Sequence, residues 1–343
     1  MPRPRNMWPE QEHSLGALWE MADASCHDVV VLSTSPNAVS SSRLREFSLA
    51  VWLHLKGALG ILRARRSDAI ILTKFKTPLL PLLMLLTFPW AKRVFLVVHH
   101  TIQQAVMKPW SRPLLRVAAR LGYGLLVFES AEELPDEVAW SVGSMRMIVI
   151  PEPGPHSTWW KTGSSVSTMP RRVTVGVLGE RRAEKCSDEL IRELKRVQAE
   201  GEVDLDILVA ARNLDHYPQS LLAGVRTLET PDMSSYCAAL RSCDVVAINH
   251  EESRYRHRTS GVLTDAVVFG CFVVAPDYPL FRRQLAYPAR VGETFSNLSS
   301  LGDALANVLE LRALGTDPFS EHRRRRLPAT LAAEFDSQLE SLR

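Results

Sequence analysis

NHEESRYRHRTSGVLTDAVVFGCFVVAPDYP, residues Asn249–Pro279, is the stretch whose reading decides the fold. The apolar run Asp244–Asn249 reads as a strand that ends in a polar loop carrying Glu251, Glu252, Tyr255, Arg256, His257 and Arg258. Thr259-Ser260-Gly261 then offers an N-cap to an apolar helix, whose first amide N–H groups lack intrahelical acceptors and can meet an anion. Asp265 falls one turn into that helix, and Gly270 ends it before the buried strand Phe272–Pro276. Strand, loop, helix and strand in that order make a βαβ unit, so the class is α/β. A capped helix beside a surface loop explains Ser260 and Gly270. It does not explain the cations crowded before a helix N-terminus that already carries a positive dipole, and that crowding points to an anionic ligand.

The same rhythm extends in both directions. In the first half the strand candidates are 28–33, 69–73, 94–98, 125–128 and 147–150, with helical patterns around 42–64, 78–88 and 111–121. A Pro-, Gly-, Ser- and Thr-rich stretch without hydrophobic period reads as a linker, residues 156–171. Beyond it, strands at 173–178, 206–211, 225–228, 244–249 and 272–276 alternate with helical patterns around 187–198, 233–241, 261–269 and 301–313. Residues 317–343 read as a polar helical tail broken at Pro328. This predicts an N-terminal domain over 1–155 and a second domain over 172–316. Two such domains leave a cleft between the carboxyl ends of their sheets, where open α/β sheets bind ligands.

Composition narrows the partners. The chain has 343 residues, 46% of them hydrophobic and 23% charged, with a formal charge of +3, which excludes a histone-like polycation. The five cysteines are odd in number and form no C-x-x-C pair, so spacing indicates neither a zinc ribbon nor a disulfide framework; reduced cysteines in a cytoplasmic protein are expected. The start, MPRPRNMWPEQEH, lacks an apolar core behind its basic residues and does not read as a signal peptide. Pro78–Ala91 is the greasiest run, yet it is shorter than the ~20 residues a membrane span needs.

Two further motifs bear on chemistry. GVLGERRAEK puts Gly176 and Gly179 after a strand and Arg181, Arg182 and Lys185 before a helix, where a diphosphate could lie; it is not the dinucleotide G-x-G-x-x-G. Asp204-Leu205-Asp206 spells D-x-D, but it precedes its strand instead of following it, so a structural role is favoured over a metal site.

These segments resemble the nucleotide-sugar-binding half of GT-B-fold glycosyltransferases, especially the retaining family 4. GVLGERRAEK, CDVVAIN and TDAVVFGCFVVAP carry the resemblance in the second half; VFLVVHH, LLVFES and MIVIPEPG carry it more loosely in the first. The resemblance implies two Rossmann-like domains facing across a cleft, with the last helix returning to the first domain. It implies transfer of a sugar from a nucleotide-diphosphate donor to a glycan or lipid-linked acceptor, with retention and without a metal or other cofactor. By that resemblance Arg181 or Arg182, with Lys185, would hold the diphosphate, and Ser260 and Gly261 would add backbone donors beside Arg258. Asp265 would bind the ribose and His99 would approach the donor sugar.

The family's first carboxylate falls at His257, so the contact to the sugar is absent or moves to Glu251 or Glu252. STSPNAVSSS stands where a Gly-rich loop is usual. A catalytically silent relative that binds a nucleotide sugar or a partner is therefore the second reading. Lys74, Lys76, Lys92, Arg93, Lys108 and Arg112, with Trp90 and Trp110, flank Pro78–Ala91 and suit a peripheral contact with the inner face of a membrane; a buried helix with cations at its rim is the other possibility. HRRRR, residues 322–326, reads as a solvated helix face, and no nucleic-acid signature accompanies it.

Overall fold

A computed structural model describes residues 13–32, 43–73, 75–98, 101–132, 134–155, 160, 172–201 and 203–343. The linker 156–171 (Trp160 apart), the STSPNAVSSS loop, Lys74 and His99 lie outside the described residues.

The first domain is built on a parallel sheet of β1 (Val29–Leu32), β2 (Ala69–Leu72), β3 (Val94–Val97), β4 (Gly124–Phe128) and β5 (Arg146–Ile150), in that spatial order. Its helices are α1 (His13–Ala24), α2 (Arg43–Arg63), α3 (Leu80–Thr87), α4 (Thr101–Met107), α5 (Arg112–Leu121) and α6 (Asp136–Val142). Crossovers between parallel strands are right-handed, so strands laid side by side in chain order send every crossover over the same face. That face packs Ile70, Leu72, Leu96, Leu125 and Val127 against Ile61, Leu83, Ile102, Leu115 and Val142 of the crossover helices. The alternate strand residues, Ala69, Ile71, Phe95, Val97, Leu126, Phe128, Ile148 and Ile150, point to the other face.

That second face is closed by the two ends of the described chain. The last two helices of the chain, which follow the second domain, are α14 (Phe319–Arg325) and α15 (Pro328–Ser341). Leu331, Phe335 and Leu339 form one stripe of α15 at four-residue spacing, buried on the sheet beside Leu18 and Met21 of α1. Phe335 meets Phe95 edge-on, with ring centroids 6.2 Å apart. Burying each of these large side chains contributes about 1.5–3 kcal/mol. The Gln338 amide bonds the backbone of Val149 on edge strand β5, accepting from its N–H at 2.8 Å and donating to its carbonyl at 2.7 Å. The edge is thereby partly covered.

The second domain carries β6 (Val173–Leu178), β7 (Leu205–Ala211), β8 (Arg226–Glu229), β9 (Val245–Ala247), β10 (Phe272–Pro276) and β11 (Gly292–Phe295). Its helices are α7 (Ser187–Glu200), α8 (Gln219–Leu222), α9 (Met233–Arg241), α10 (Glu252–Tyr255), α11 (Gly261–Phe269), α12 (Pro279–Ala286) and α13 (Leu301–Ala313). All strands are parallel in the order β11-β10-β9-β6-β7-β8. The order reverses between β6 and β9, which splits the loops leaving those two strands and opens a crevice at their carboxyl ends.

The expected strands are present to within a residue or two. Beyond them the structure adds β11, whose sequence GETF is too short and polar to read as a strand, and α1, α4, α6, α8, α10 and α12. The tail corrects one reading: HRRRR is not a solvated face. His322 and Arg326 are buried, and only Arg324 of the run is fully exposed. His322 Nε2 bonds the Ala289 carbonyl at 2.7 Å, Arg323 donates to the Val268 carbonyl at 2.9 Å, and Arg326 pairs with Glu129 at 2.7 Å.

Because α15 buries Phe335 completely in this core, Phe335→Ala is expected to destabilise the first domain by about 3–5 kcal/mol, as for other buried aromatic truncations. Urea unfolding followed by circular dichroism measures this; a loss below about 1 kcal/mol would mean that α15 is only loosely docked.

Candidate functional site at the switch point of the second sheet

Both sequence segments singled out for anion binding converge on this crevice: 179–186 leaves β6, and 248–260 leaves β9. Gly179 turns the first loop with a left-handed φ of 94°, and its missing Cβ makes room for the Lys185 ammonium, which would lie 2.8 Å from it. Lys185 is enclosed there. Burial, aided by neighbouring Arg182 and Arg258, pushes its pKa down to about 8, so the side chain remains mostly cationic at neutral pH. The two loops are stitched together by Glu251 N–H to the Glu184 carbonyl at 2.8 Å and by Asn249 Nδ2 to the Cys186 carbonyl at 3.4 Å.

The candidate cations are not equivalent. Arg181 is held by Asp188 through two bonds of 2.7 and 2.6 Å, so its charge is already matched. Arg182 makes only an exposed contact of 3.3 Å with Glu180. Arg258 lies over the Tyr255 ring at 4.4 Å, and its Nε is buried without a hydrogen-bond partner. Lys185, Arg182 and Arg258 therefore form the cationic side of the crevice.

Ser260 occupies the N-cap position of α11, but its hydroxyl does not cap the helix as the sequence suggested. It bonds His250 Nε2 at 3.0 Å instead. The His250 ring stacks on Tyr255 at 4.0 Å, and its carbonyl accepts from Tyr278 Oη at 2.6 Å. Burial, with Lys185 and Arg258 nearby, holds this imidazole neutral, far below its usual pKa. The N-terminal amides of α11 consequently have no side-chain cap.

Below them lies a pair of buried acids. Asp265 accepts from Tyr236 Oη at 3.0 Å, and Glu152 accepts from Thr264 Oγ1 at 2.8 Å. Burial pushes both up to about 7; the Glu129 carboxylate further raises Glu152, and Glu152 in turn raises Asp265. Glu251 and Glu252, the candidate replacements for a sugar-contacting acid, are exposed and paired with Ser253 and Arg256. The D-x-D pair sits at the opposite end of β7, with Asp204 3.5 Å from Arg172 and Asp206 3.3 Å from Arg226.

The first domain closes over the crevice. Gln103 of α4 reaches across, donating to the Ser253 carbonyl at 2.6 Å and accepting from the His257 N–H at 3.0 Å. Between the domains is a small pocket of about 20 Å³, room for about one water, walled by Val98, Ile102 and Phe128 on one side and by His257, Arg258 and Thr259 on the other. None of the described residues lining it is an acid. Gln103, His250, Tyr236 and Glu152 were not singled out from sequence. Only Glu152, an acid between two prolines at the exit of an apolar strand, left a local trace.

No protein-family model and no curated protein matches the chain. Among solved structures it is similar to Anabaena Alr3699/HepE in complex with UDP-glucose, with 14% identity, TM-score 0.60, and coverage of 98% of this chain and 97% of that one. It is similar also to an alpha,alpha-trehalose-phosphate synthase (UDP-forming) from Burkholderia xenovorans in complex with glucose-6-phosphate, with 13% identity, TM-score 0.60 and coverage of 88% and 79%. A mutant of S. aureus TarM in complex with Fondaparinux, alpha-GlcNAc-glycerol and UDP follows at 12% identity and TM-score 0.57, covering 85% of this chain and 58% of that one. The likenesses establish the fold.

The raised carboxyls carry a pH signature. Between about pH 4 and 7 the unfolded chain ionises both acids while the native state keeps their protons, so stability falls through that window and levels above it. Glu152→Gln and Asp265→Asn are each expected to flatten the decline, measured by urea unfolding at stepped pH. An unchanged slope in both variants would show that neither carboxyl is perturbed.

Proposed function

We propose that this chain, which has the two-domain GT-B fold, is a glycosyltransferase that moves a sugar from a nucleoside-diphosphate donor to a hydroxyl of a glycan or lipid-linked acceptor. The observation that carries the reading is the gathering of Lys185, Arg182, Arg258 and the uncapped N-terminus of α11 at one switch-point crevice that faces the other domain. Departure of a nucleoside diphosphate builds negative charge on the leaving oxygen. An ammonium, two guanidiniums and a helix-terminal set of N–H groups stabilise that charge without reorganising at the moment of reaction. These cations suffice for the role often given to a metal. Asp265, one turn below Gly261, accepts from the ribose hydroxyls, and the sugar projects toward the pocket beside His257.

Arg258 supports the diphosphate assignment further, because its buried Nε lacks a partner that a phosphate oxygen would supply. The absence of acids among the described residues of the pocket favours transfer on the face from which the diphosphate leaves, and hence retention at the anomeric carbon. The same observation favours the second reading, a protein that binds the nucleotide sugar without turning it over. Release of nucleoside diphosphate in the presence of acceptor separates the two.

Peripheral membrane contact is the reading of the first domain's outer surface. Trp52, Leu55 and Leu59 lie along one stripe of α2, and Leu85 and Leu86 of the neighbouring α3 are exposed, Leu85 by 73%. Lys56 sits over the Trp52 ring at 3.7 Å, and Arg63, Arg65 and Arg66 follow at the end of α2. Apolar side chains rimmed by cations complement an anionic bilayer surface. Among the described residues no helix is long and apolar enough to cross a membrane.

Calorimetric titration with a panel of nucleoside diphosphates tests the donor site. Lys185→Met and Asp265→Ala are each expected to lower affinity roughly ten- to a hundredfold, the loss of one charge-assisted bond. Asp204→Ala, at the opposite end of the strands, is expected to leave affinity unchanged, as is EDTA. Loss of binding on chelation, or in Asp204→Ala alone, would place the site elsewhere.

Cosedimentation tests the surface. Binding to vesicles containing phosphatidylserine is expected to fall with salt and to be lost when Trp52→Glu and Leu85→Glu are combined. Absence of binding to both anionic and neutral vesicles would refute the contact.

A further inference from the structure

The closing of the first sheet's second face brings together three side chains far from the crevice. Cys26 and His27 lie in the turn between α1 and β1, and Glu340 lies in the last turn of α15. One ligating atom of each, the Cys26 Sγ, a His27 ring nitrogen and a Glu340 carboxylate oxygen, lies within 4.8 Å of the others. His27 Nε2 is enclosed and has no hydrogen-bond partner, with Glu340 Oε1 3.5 Å away. The other ring nitrogen, Nδ1, faces Asp68 Oδ2 at 3.9 Å. Asp68 is itself fixed, accepting from the Asp28 N–H at 3.1 Å and from Arg343 at 2.7 Å.

The turn is equally well held. Asp336, one helical turn before Glu340, accepts from the Ser25 hydroxyl at 2.5 Å and from the Cys26 N–H at 2.8 Å. His27 N–H donates back to Ser25 Oγ at 3.1 Å. A sulfur, an imidazole nitrogen and a carboxylate oxygen converge, and a second carboxylate stands behind the imidazole. Metal-ligating histidines are oriented in this way by an acid on the other ring nitrogen.

We propose that Cys26, His27 and Glu340 bind a zinc ion that fastens α15 to the turn between α1 and β1. The mixed sulfur, nitrogen and oxygen donor set suits Zn²⁺ in preference to Mg²⁺ or Ca²⁺, which take oxygen ligands. Zinc–ligand bonds of about 2.0–2.3 Å place tetrahedral ligands roughly 3.3–3.8 Å apart, so rotations of about 1 Å at the exposed Cys26 and Glu340 close the site. Water or Asp336, which adjoins the thiol, completes the coordination, and the thiol proton leaves to solvent.

The test titrates the full-length, metal-stripped chain with Zn²⁺ against a chromophoric chelator and repeats the titration with Co²⁺. One tight equivalent is expected, with a thiolate-to-cobalt charge-transfer band. Cys26→Ser is expected to abolish the band and the tight equivalent. Glu340→Gln and Asp68→Asn should each weaken zinc binding by about tenfold or more. Zinc should slow hydrogen exchange in α15 of the unmodified chain and not of Cys26→Ser. Circular dichroism of the variants controls for folding, and Glu340→Gln, at an exposed position, keeps a folded protein in the comparison. The absence of a tight equivalent, or its persistence with the band in Cys26→Ser, overturns the proposal.

Discussion

Five parallel strands laid side by side in chain order leave one face of a sheet without crossover helices, and the remaining architecture answers that constraint. The bare face must be buried. α1 covers part of it before the first strand is made, and α15 covers the rest after the second domain is complete. To reach it, the chain leaves the second domain through α14, packed on α11, and crosses the seam between the domains. Arg326 sits at that crossing, bonded to Glu129 and to the Glu152 carbonyl. The tail is thus part of the first domain's core and part of the seam at once.

The seam is polar where the two cores are apolar. Glu129 takes a left-handed backbone, φ 68°, which costs a non-glycine residue of order 1–3 kcal/mol. Arg326, the Glu152 N–H and Gln284 all donate to its carboxylate and offset that cost. Removing one partner of such a buried pair typically costs about 3–5 kcal/mol, because the other charge is stranded. On the open side Gln103 makes two bonds to the second domain. Water can take over hydrogen bonds of that kind, so the open side of the seam can part while the tail side stays joined. Domains joined this way admit ligands by relative motion.

Sequence carried the local part of this arrangement. The alternation of apolar runs located ten of the strands because each is a short run and most are buried and rich in Val, Ile or Leu, exposed β8 excepted, and the loops after β6 and β9 announced themselves by charge. What it could not carry were partnerships between distant residues. HRRRR reads as a solvated face only because the acid that neutralises Arg326 lies 197 residues earlier. Ser260 reads as a cap because its true partner, His250, is visible only once the loop has folded back. Gln103 is an ordinary amide on a short helix until His257 stands opposite it, 154 residues away. Cysteine spacing likewise disclosed nothing of the Cys26, His27 and Glu340 cluster, since its members come from distant parts of the chain.

The position of α15 bears on the order in which the protein can be made. Domains generally fold as they leave the ribosome, the N-terminal one first. Here the first sheet emerges with Ile71, Phe95, Leu126 and Ile148 uncovered along one face, and their cover is translated only after the whole second domain. The second domain, whose core closes on its own residues, can therefore be native while the first still waits. During that interval the nascent chain exposes the kind of apolar surface that chaperones recognise. A ribosome stalled before α15 would hold a folded second domain beside an incomplete partner.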